Sequence, residues 1–395
     1  MLCLCSQTKR PWKLVGCVVA ENTWYCPLPF KHVFVDSIGV AVCCKAPRQS
    51  IDLDQWANSE HVKNTQQQML DGQIPDMCQV CVSEEKLTGR SLRTDSQQDY
   101  NYERFVETEI DFIDYRANNI CNFKCRSCFP VFSHGVNNET KNSTILQKFY
   151  QPTDKKIVSI NDANTQWIGQ NIKQIKRLML TGGEPTRMPE IRLIVEQIVY
   201  DKLDTQILIT TNASFKDDFW YELTRLHDNL HWTVSLDAVG PAAEVIRNGT
   251  DWATVEANAR WLASHAASMN VNTTITHLNV LHLEPLLQFV KELQTESVYP
   301  RGRHGGEGIR HQFAITPDPP HLSVDCLPPD LKAKALTHLD TCLALDLDSE
   351  QKQTIEGLSA HLKQVTFNSF QWQRSLEFNQ ELDRIRGENY IELYD

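Results

Sequence analysis

The chain has 395 residues, 39 basic and 50 acidic for a net charge of -11, and it carries thirteen cysteines. At about 150 residues per domain, that length allows two or three domains or one barrel-sized domain with an appendage. A composition of 41% hydrophobic and 23% charged residues excludes wholesale disorder, no run approaches the ~20 apolar residues of a membrane span, and the acidic balance argues against a phosphate-tracking surface, so neither membrane nor nucleic acid is expected as a partner.

Residues 1–24 read as a loosely ordered leader holding Cys3, Cys5 and Cys17. Leu14-Val15-Gly16-Cys17 has the outline of a lipoprotein cleavage box. The residues before it, Gln7 to Lys13, are polar and basic and lack the ~7-residue apolar run of an export signal. The expected compartment is cytoplasmic, where structural disulfides are rare and clustered thiols point to metal or redox chemistry. Next come Cys26 and the pair Cys43-Cys44, joined by a predicted hairpin over Phe30 to Val42 with an Asp36-Ser37-Ile38-Gly39 turn. A helical stretch from Asp52 to Leu70 then delivers Cys78-x2-Cys81. Four thiolates with no histidine nearby suit either zinc or an iron-sulfur cube.

A second thiol group is the tight triplet Cys121-x3-Cys125-x2-Cys128. Structural zinc and iron-sulfur cubes normally take four protein ligands; three sulfurs on a cube leave one iron open. Strands are predicted near 109–116, 175–181, 206–211, 231–236, 270–276 and 309–316, with helices near 160–173, 189–201, 216–228, 251–267 and 283–295. Pro189-Glu190 and Asp251-Trp252 read as helix starts. Trp252, Val255, Ala259, Leu262 and Ala266 form a core face. Six strand–helix units imply a parallel sheet. Asn137 to Gln166 reads as an irregular polar connection beside the substrate. His277 and Asn279, at the fifth strand's end, either line the pocket or cap the strand. The glycine-rich Arg303 to Gly308 lacks the Lys-Ser/Thr of a phosphate loop. Cys326 and Cys342 read as packed thiols, and residues 328–395 as helices.

Further signals follow the triplet in order: Arg177 to Leu180 leading into Thr181-Gly182-Gly183-Glu184-Pro185, then Ile207-Leu-Ile-Thr-Thr211-Asn212, then Trp232-Thr-Val-Ser235-Leu-Asp237. With Asn118-Asn-Ile-Cys121-Asn-Phe-Lys-Cys125-Arg-Ser-Cys128, this series resembles the radical S-adenosylmethionine (radical SAM) enzymes. Cys26 to Arg93, ending in Cys78-x2-Cys81-x2-Glu84…Gly89-x-Ser91-x-Arg93, resembles the auxiliary-cluster module called Twitch, a short relative of the SPASM domain. The resemblance covers about residues 25 to 320.

It implies an α/β fold: a partial (β/α)6 TIM-like barrel over 105–320, a small N-terminal auxiliary-cluster domain over 25–100, and a C-terminal helical extension over 321–395. In such barrels chemistry sits at the C-terminal strand ends, where all four signals fall. The implied catalytic centre is a [4Fe-4S] cluster on Cys121, Cys125 and Cys128, whose open iron chelates SAM. Reductive cleavage would give a 5′-deoxyadenosyl radical that abstracts hydrogen from a peptide or a small-metabolite or sugar substrate. Gly182, Gly183, Glu184, Pro185, Thr211, Asn212, Ser235, Asp237 and Arg247 are the implied SAM-binding residues. Their bland readings are a helix-terminal acid for Glu184, strand-end caps for Ser235 and Asp237, and a surface salt bridge for Arg247.

A second [4Fe-4S] cluster would take Cys26, Cys78, Cys81 and either Cys44 or Cys43, with a flavodoxin- or ferredoxin-type protein as electron donor. Two departures stand out. Ser127 occupies the position where the family carries an aromatic before the last cysteine. The family's Gly-x4-Cys spacing selects Cys44, but the hairpin is one residue shorter than a common Gly-x4-Cys-Cys form, which keeps Cys43 open. The alternative is a zinc-binding structural or interaction protein on a degenerate barrel, without SAM cleavage.

Overall fold

The computed structural model describes residues 24–153, 162–297, 308–315 and 318–394. The leader and its three cysteines, and residues 303–307 of the glycine-rich loop, lie outside them.

Among the described residues, ten strands form in chain order: β1 (His32–Asp36), β2 (Gly39–Ala41), β3 (Phe112–Arg116), β4 (Lys124–Cys125), β5 (Arg177–Leu180), β6 (Gln206–Thr211), β7 (Leu230–Ser235), β8 (Arg247–Asn248), β9 (Ser268–Ile275) and β10 (Arg310–Ile315). Eight build one sheet in the order β10-β9-β7-β6-β5-β3-β1-β2, and β4 and β8 form a separate pair. All pairings in the large sheet are parallel except β1 with β2. The six strands predicted for the main α/β unit therefore all form, and they lie side by side. Buried and half-buried residues alternate along β6, β7 and β9, as the two-residue side-chain period of a strand requires. Among the described residues, β10 and β2 are the outermost strands of the sheet, and Val40 of β2 exchanges backbone hydrogen bonds with Gln49.

The N-terminal hairpin is the edge of this sheet, not a body apart. β1 runs parallel to β3 in the register Val33↔Ile113 and Val35↔Tyr115. Val33, Phe34 and Val35 share one apolar cluster with Ile113, Leu178, Ile207 and Trp232. Between the six strands, helices dock by one apolar stripe. In Pro189–Tyr200 the buried residues Ile191, Ile194, Val195 and Ile198 recur at helical spacing, and in Trp252–His265 the face Val255, Ala259 and Leu262 is buried as read from the sequence.

The connection after the cysteine triplet is more regular than its polarity suggests. It begins with the helix His134–Lys141, capped by Ser133, whose hydroxyl accepts from the Val136 amide. Beyond the sheet, Pro329–Leu343, Ser349–Gln364 and Ser369–Arg386 pack with Leu278, Leu283 and Leu287 into a second apolar cluster. The turn Tyr390–Tyr394 buries Tyr390, Leu393 and Tyr394 in that same cluster.

Candidate functional site

Parallel strands send every following loop to one edge of the sheet, and the cysteine loop and the Gly-Gly turn meet there. After β3 the chain runs to Cys121. The Gly183 amide donates to the Asn118 carbonyl at 3.3 Å and the Glu184 amide to the Ile120 carbonyl at 2.7 Å. The two loops are too close for side chains: a Cβ on Gly183 would stand 2.2 Å from the Ile120 oxygen, and Gly182 has φ +116°. The loop's far end is fixed by the small ladder, with Lys124 opposite Asn248 and Cys125 opposite Arg247.

These loops border a cavity of about 440 Å³, within the ~300–1,000 Å³ usual for small-molecule sites. Its wall contains Cys121, Cys125 and Cys128, Gly182, Gly183 and Glu184, Thr211 and Asn212, Ser235 and Asp237, and Arg247. Of the residues expected to bind a cofactor, only Pro185 stands back from the wall, buried at the start of the turn Pro185–Arg187.

The Arg247 guanidinium meets the Asp237 carboxylate at 2.8 Å, with side chains only 15% and 4% exposed. This is a buried pair, not the surface salt bridge that was its bland reading. Burial works against the cation, but the Cys125 sulfur and the Asp237 carboxylate outweigh it and push its pKa up. Asp237 also accepts from the Thr274 amide at 2.9 Å, so it caps a strand end as well as pairing. Burial raises all three thiols: Cys121 to about 12, with neighbouring Cys125 and Glu184 adding to it, and Cys125 and Cys128 in the same direction. Such thiols stay protonated until a positive centre offsets the charge, and an all-sulfur donor set suits a soft metal centre. The donors therefore fit the group that the motif implies.

Glu184 borders the cavity with its carboxylate engaged by the protein. It is 1% exposed, and it accepts from the Thr186 amide (3.1 Å) and hydroxyl (2.7 Å), the Thr211 hydroxyl (2.8 Å) and the Asn212 amide (2.7 Å). Burial raises its pKa while these hydrogen bonds oppose the rise. Its carboxylate caps the turn after Pro185 and fastens the end of β6; the cavity sees it as a braced wall. Asn212 in turn donates to Asn122 of the cysteine loop at 3.1 Å.

The cavity also takes in residues not singled out from the sequence: Arg116, Phe123, Phe129, Phe132, Thr274 and Asp318. Arg116 is the last residue of β3, so the rule that active residues cluster at strand ends would have found it. Phe123, Phe129 and Phe132 supply the aromatic surface that Ser127 cannot. His277 and Asn279 do not reach this wall. His277 is fully buried between the Tyr394 hydroxyl (2.5 Å) and the Ser375 hydroxyl (2.8 Å), while Asn279 donates to the Asp237 and Thr274 carbonyls, both at 2.9 Å. Cys326 and Cys342 are packed in the interior, as expected.

The second thiol group gathers Cys26, Cys43, Cys78 and Cys81 around a space of only about 30 Å³. The wall there includes Trp24, Met69, Met77 and Leu92. Burial raises the Cys43 thiol to about 11 and the Cys78 thiol to about 12, and the charges of neighbouring cysteines add to both. Cys44 is not on this wall; the charges acting on it are those of Asp114, Arg116, Lys45 and Arg48. Of the two cysteines that the sequence left open, Cys43 borders the space with the other three.

The motif after Cys81 acts as a brace. Glu84 pairs with Lys45 at 2.5 Å. Glu85 pairs with Arg93 at 2.6 Å and accepts from the Ser91 hydroxyl at 2.5 Å. Arg93 covers the Trp24 ring at 4.0 Å. Among the described residues, no three His, Cys, Asp or Glu side chains converge on a point that one metal ion would fill. Among those residues, too, no helix is long and apolar enough to cross a membrane.

No protein-family model matches the chain, and no curated protein sequence matches it. Among solved structures, native anSMEcpe with bound AdoMet and Cp18Cys peptide is similar over 57% of this chain and 57% of its own, at 17% identity and a TM-score of 0.33. The chain thus spans little more than half of that structure's length. Streptococcus suis SuiB bound to precursor peptide SuiA is similar over 66% of this chain and 59% of its own, at 12% identity and a TM-score of 0.35. TYW1 with a lysine-pyruvate adduct bound is similar over 58% of this chain and 73% of its own, at 12% identity and a TM-score of 0.31.

Proposed function

We propose that the chain is a radical SAM enzyme with a partial (β/α)6 barrel over 105–320 and an auxiliary cluster unit over 25–100. The observation that carries this reading is the cavity itself. Three thiols, the Gly-Gly turn, the end of β6 and the Asp237–Arg247 pair come from five separate stretches of chain and border one space. Cys121, Cys125 and Cys128 would hold a [4Fe-4S] cluster by three corners. When bound, the cluster supplies the electron that cleaves the sulfonium of SAM to methionine and a 5′-deoxyadenosyl radical.

The protein's own part is positioning and shielding. Arg247, held by Asp237, offers a guanidinium edge to a carboxylate. Ser235 and the Gly-Gly backbone carbonyls offer polar contacts to hydroxyl and ammonium groups. Phe123, Phe129 and Phe132 give an apolar surface for a flat base and keep water from the reacting carbon. Arg116 and Asp318 are left on the wall for the substrate, a peptide or a small metabolite. Cys26, Cys43, Cys78 and Cys81 would enclose a second cluster with no corner open, which suits electron relay from a flavodoxin- or ferredoxin-type donor.

Anaerobic reconstitution with iron and sulfide tests the reading. It should yield about eight irons per chain, a broad visible absorbance, and 5′-deoxyadenosine after reduction in the presence of SAM. A colourless, zinc-loaded protein that leaves SAM intact would reject it in favour of a structural metal-binding role.

A further inference from the structure

We propose that Arg126 and Glu388 are positioning residues that fix the thiol triplet against Arg247 from behind; the inference rests on the cluster-binding reading above. Arg126 lies between two cysteines of the triplet, yet its side chain leaves the cavity and is fully buried. Its guanidinium donates to the Val245 carbonyl at 3.1 Å, to the Asn379 carbonyl and side-chain oxygen at 3.3 and 3.2 Å, to Glu388 at 2.6 Å, and to Asp383. The partners on the C-terminal segment lie more than 250 positions along the chain. A buried guanidinium keeps such partners because an unpaired one is strongly unfavourable.

Glu388 does more than neutralise Arg126. Its other oxygen accepts from the Asn248 side chain. Asn248 stands opposite Lys124 in the small ladder, beside the rung that sets Cys125 opposite Arg247. One carboxylate therefore grips both strands of the ladder that presents a thiol and a guanidinium to the cavity. A second joint reinforces it. Arg386, 1% exposed, pairs with Glu139 at 2.7 Å, and Glu139 also receives the Lys124 ammonium at 2.8 Å. Arg126, Asn248 and Glu388 are not on the cavity wall, so any effect on ligand binding must pass through the wall residues they hold, Cys125, Cys128 and Arg247.

The test compares Glu388→Gln and Arg126→Lys with Ile355→Val, a change in the C-terminal apolar cluster remote from the ladder that lowers stability alone. In the metal-free protein, iodoacetamide labelling of Cys125 and Cys128, followed by mass spectrometry, should be about tenfold faster in both ladder variants than in Ile355→Val, the scale on which supporting residues act on metal ligands. In the iron-loaded protein, the KM for SAM should rise about tenfold, with a changed electron paramagnetic resonance signal on SAM addition. Labelling rates and signals matching Ile355→Val would overturn the proposal. Should Arg126→Lys fail to fold, the isosteric Glu388→Gln decides alone. Should the wild-type protein load no iron, the family reading falls, and the labelling comparison still decides this one.

Discussion

Around Cys121, Cys125 and Cys128 the wall mixes polar groups with phenylalanine rings and is roomy, and a buried ion pair stands beside the sulfurs. Around Cys26, Cys43, Cys78 and Cys81 it is largely apolar and tight, with Arg93 drawn off to Glu85 and Trp24. The spaces are about 440 and about 30 Å³. The contrast teaches that sulfur count alone does not define a reactive centre. Three donors with room and a paired cation beside them can accept a second molecule; four donors in a closed apolar shell can only hold what they enclose.

The largest expected effect breaks the comparison at the sulfurs. Cys125→Ala should abolish 5′-deoxyadenosine formation and lower the iron content by about four per chain, whereas Cys43→Ala should lose a similar amount of iron from the other site and leave the triplet's cluster in place. Cys44→Ala should retain the full complement, because Cys44 is not on the wall that gathers the other four. Equal iron loss in Cys43→Ala and Cys44→Ala would refute the assignment.

Next comes the Asp237–Arg247 ion pair beside the triplet. Asp237→Asn leaves Arg247 buried without its carboxylate and should cost about 3–5 kcal/mol in urea unfolding of the metal-free protein. A loss below 1 kcal/mol would mean that Arg247 relaxes to solvent. Gly183→Ala probes the contact between loops: with a Cβ driven toward the Ile120 oxygen, about 1–3 kcal/mol of overpacking is expected, together with weaker SAM binding. An unchanged melting temperature and SAM affinity would show that the loops part freely.

The smallest effect is acidic. Burial pushes His277 and His311 down to about 3, while an unfolded chain titrates near 6.5. Below that value the unfolded state binds protons that the folded state refuses, so stability is complete above about pH 6.5 and falls as pH drops through the window toward 3. By pH 5.5 each histidine should remove about 1 kcal/mol from the folding stability. Urea midpoints at pH 7.5 and 5.5 check this, and His311→Gln should flatten the dependence.

Much of the site was legible because its information is local. The x3 and x2 spacings of the triplet, the short apolar runs that become β5, β6 and β7, and the face Val255, Ala259, Leu262 each reflect geometry over a few residues. Glu184 shows the limit. Its place beside the cavity was readable, but whether its oxygens face a ligand or the protein depends on Thr186, Thr211 and Asn212 arriving together. His277 shows the same at the fifth strand's end: its neighbours, Ser375 and Tyr394, lie about a hundred positions away.

The sequence by itself determined the six parallel strands and the helices between them, and that three cysteines follow a strand before a Gly-Gly turn, because backbone periodicity and turn chemistry act over short range. Only the tertiary structure decided that β1 continues the main sheet, that Cys43 and not Cys44 joins the outer thiols, and that Arg126 is tied to Glu388. Those choices depend on which distant surfaces exclude water together, and no local pattern encodes that.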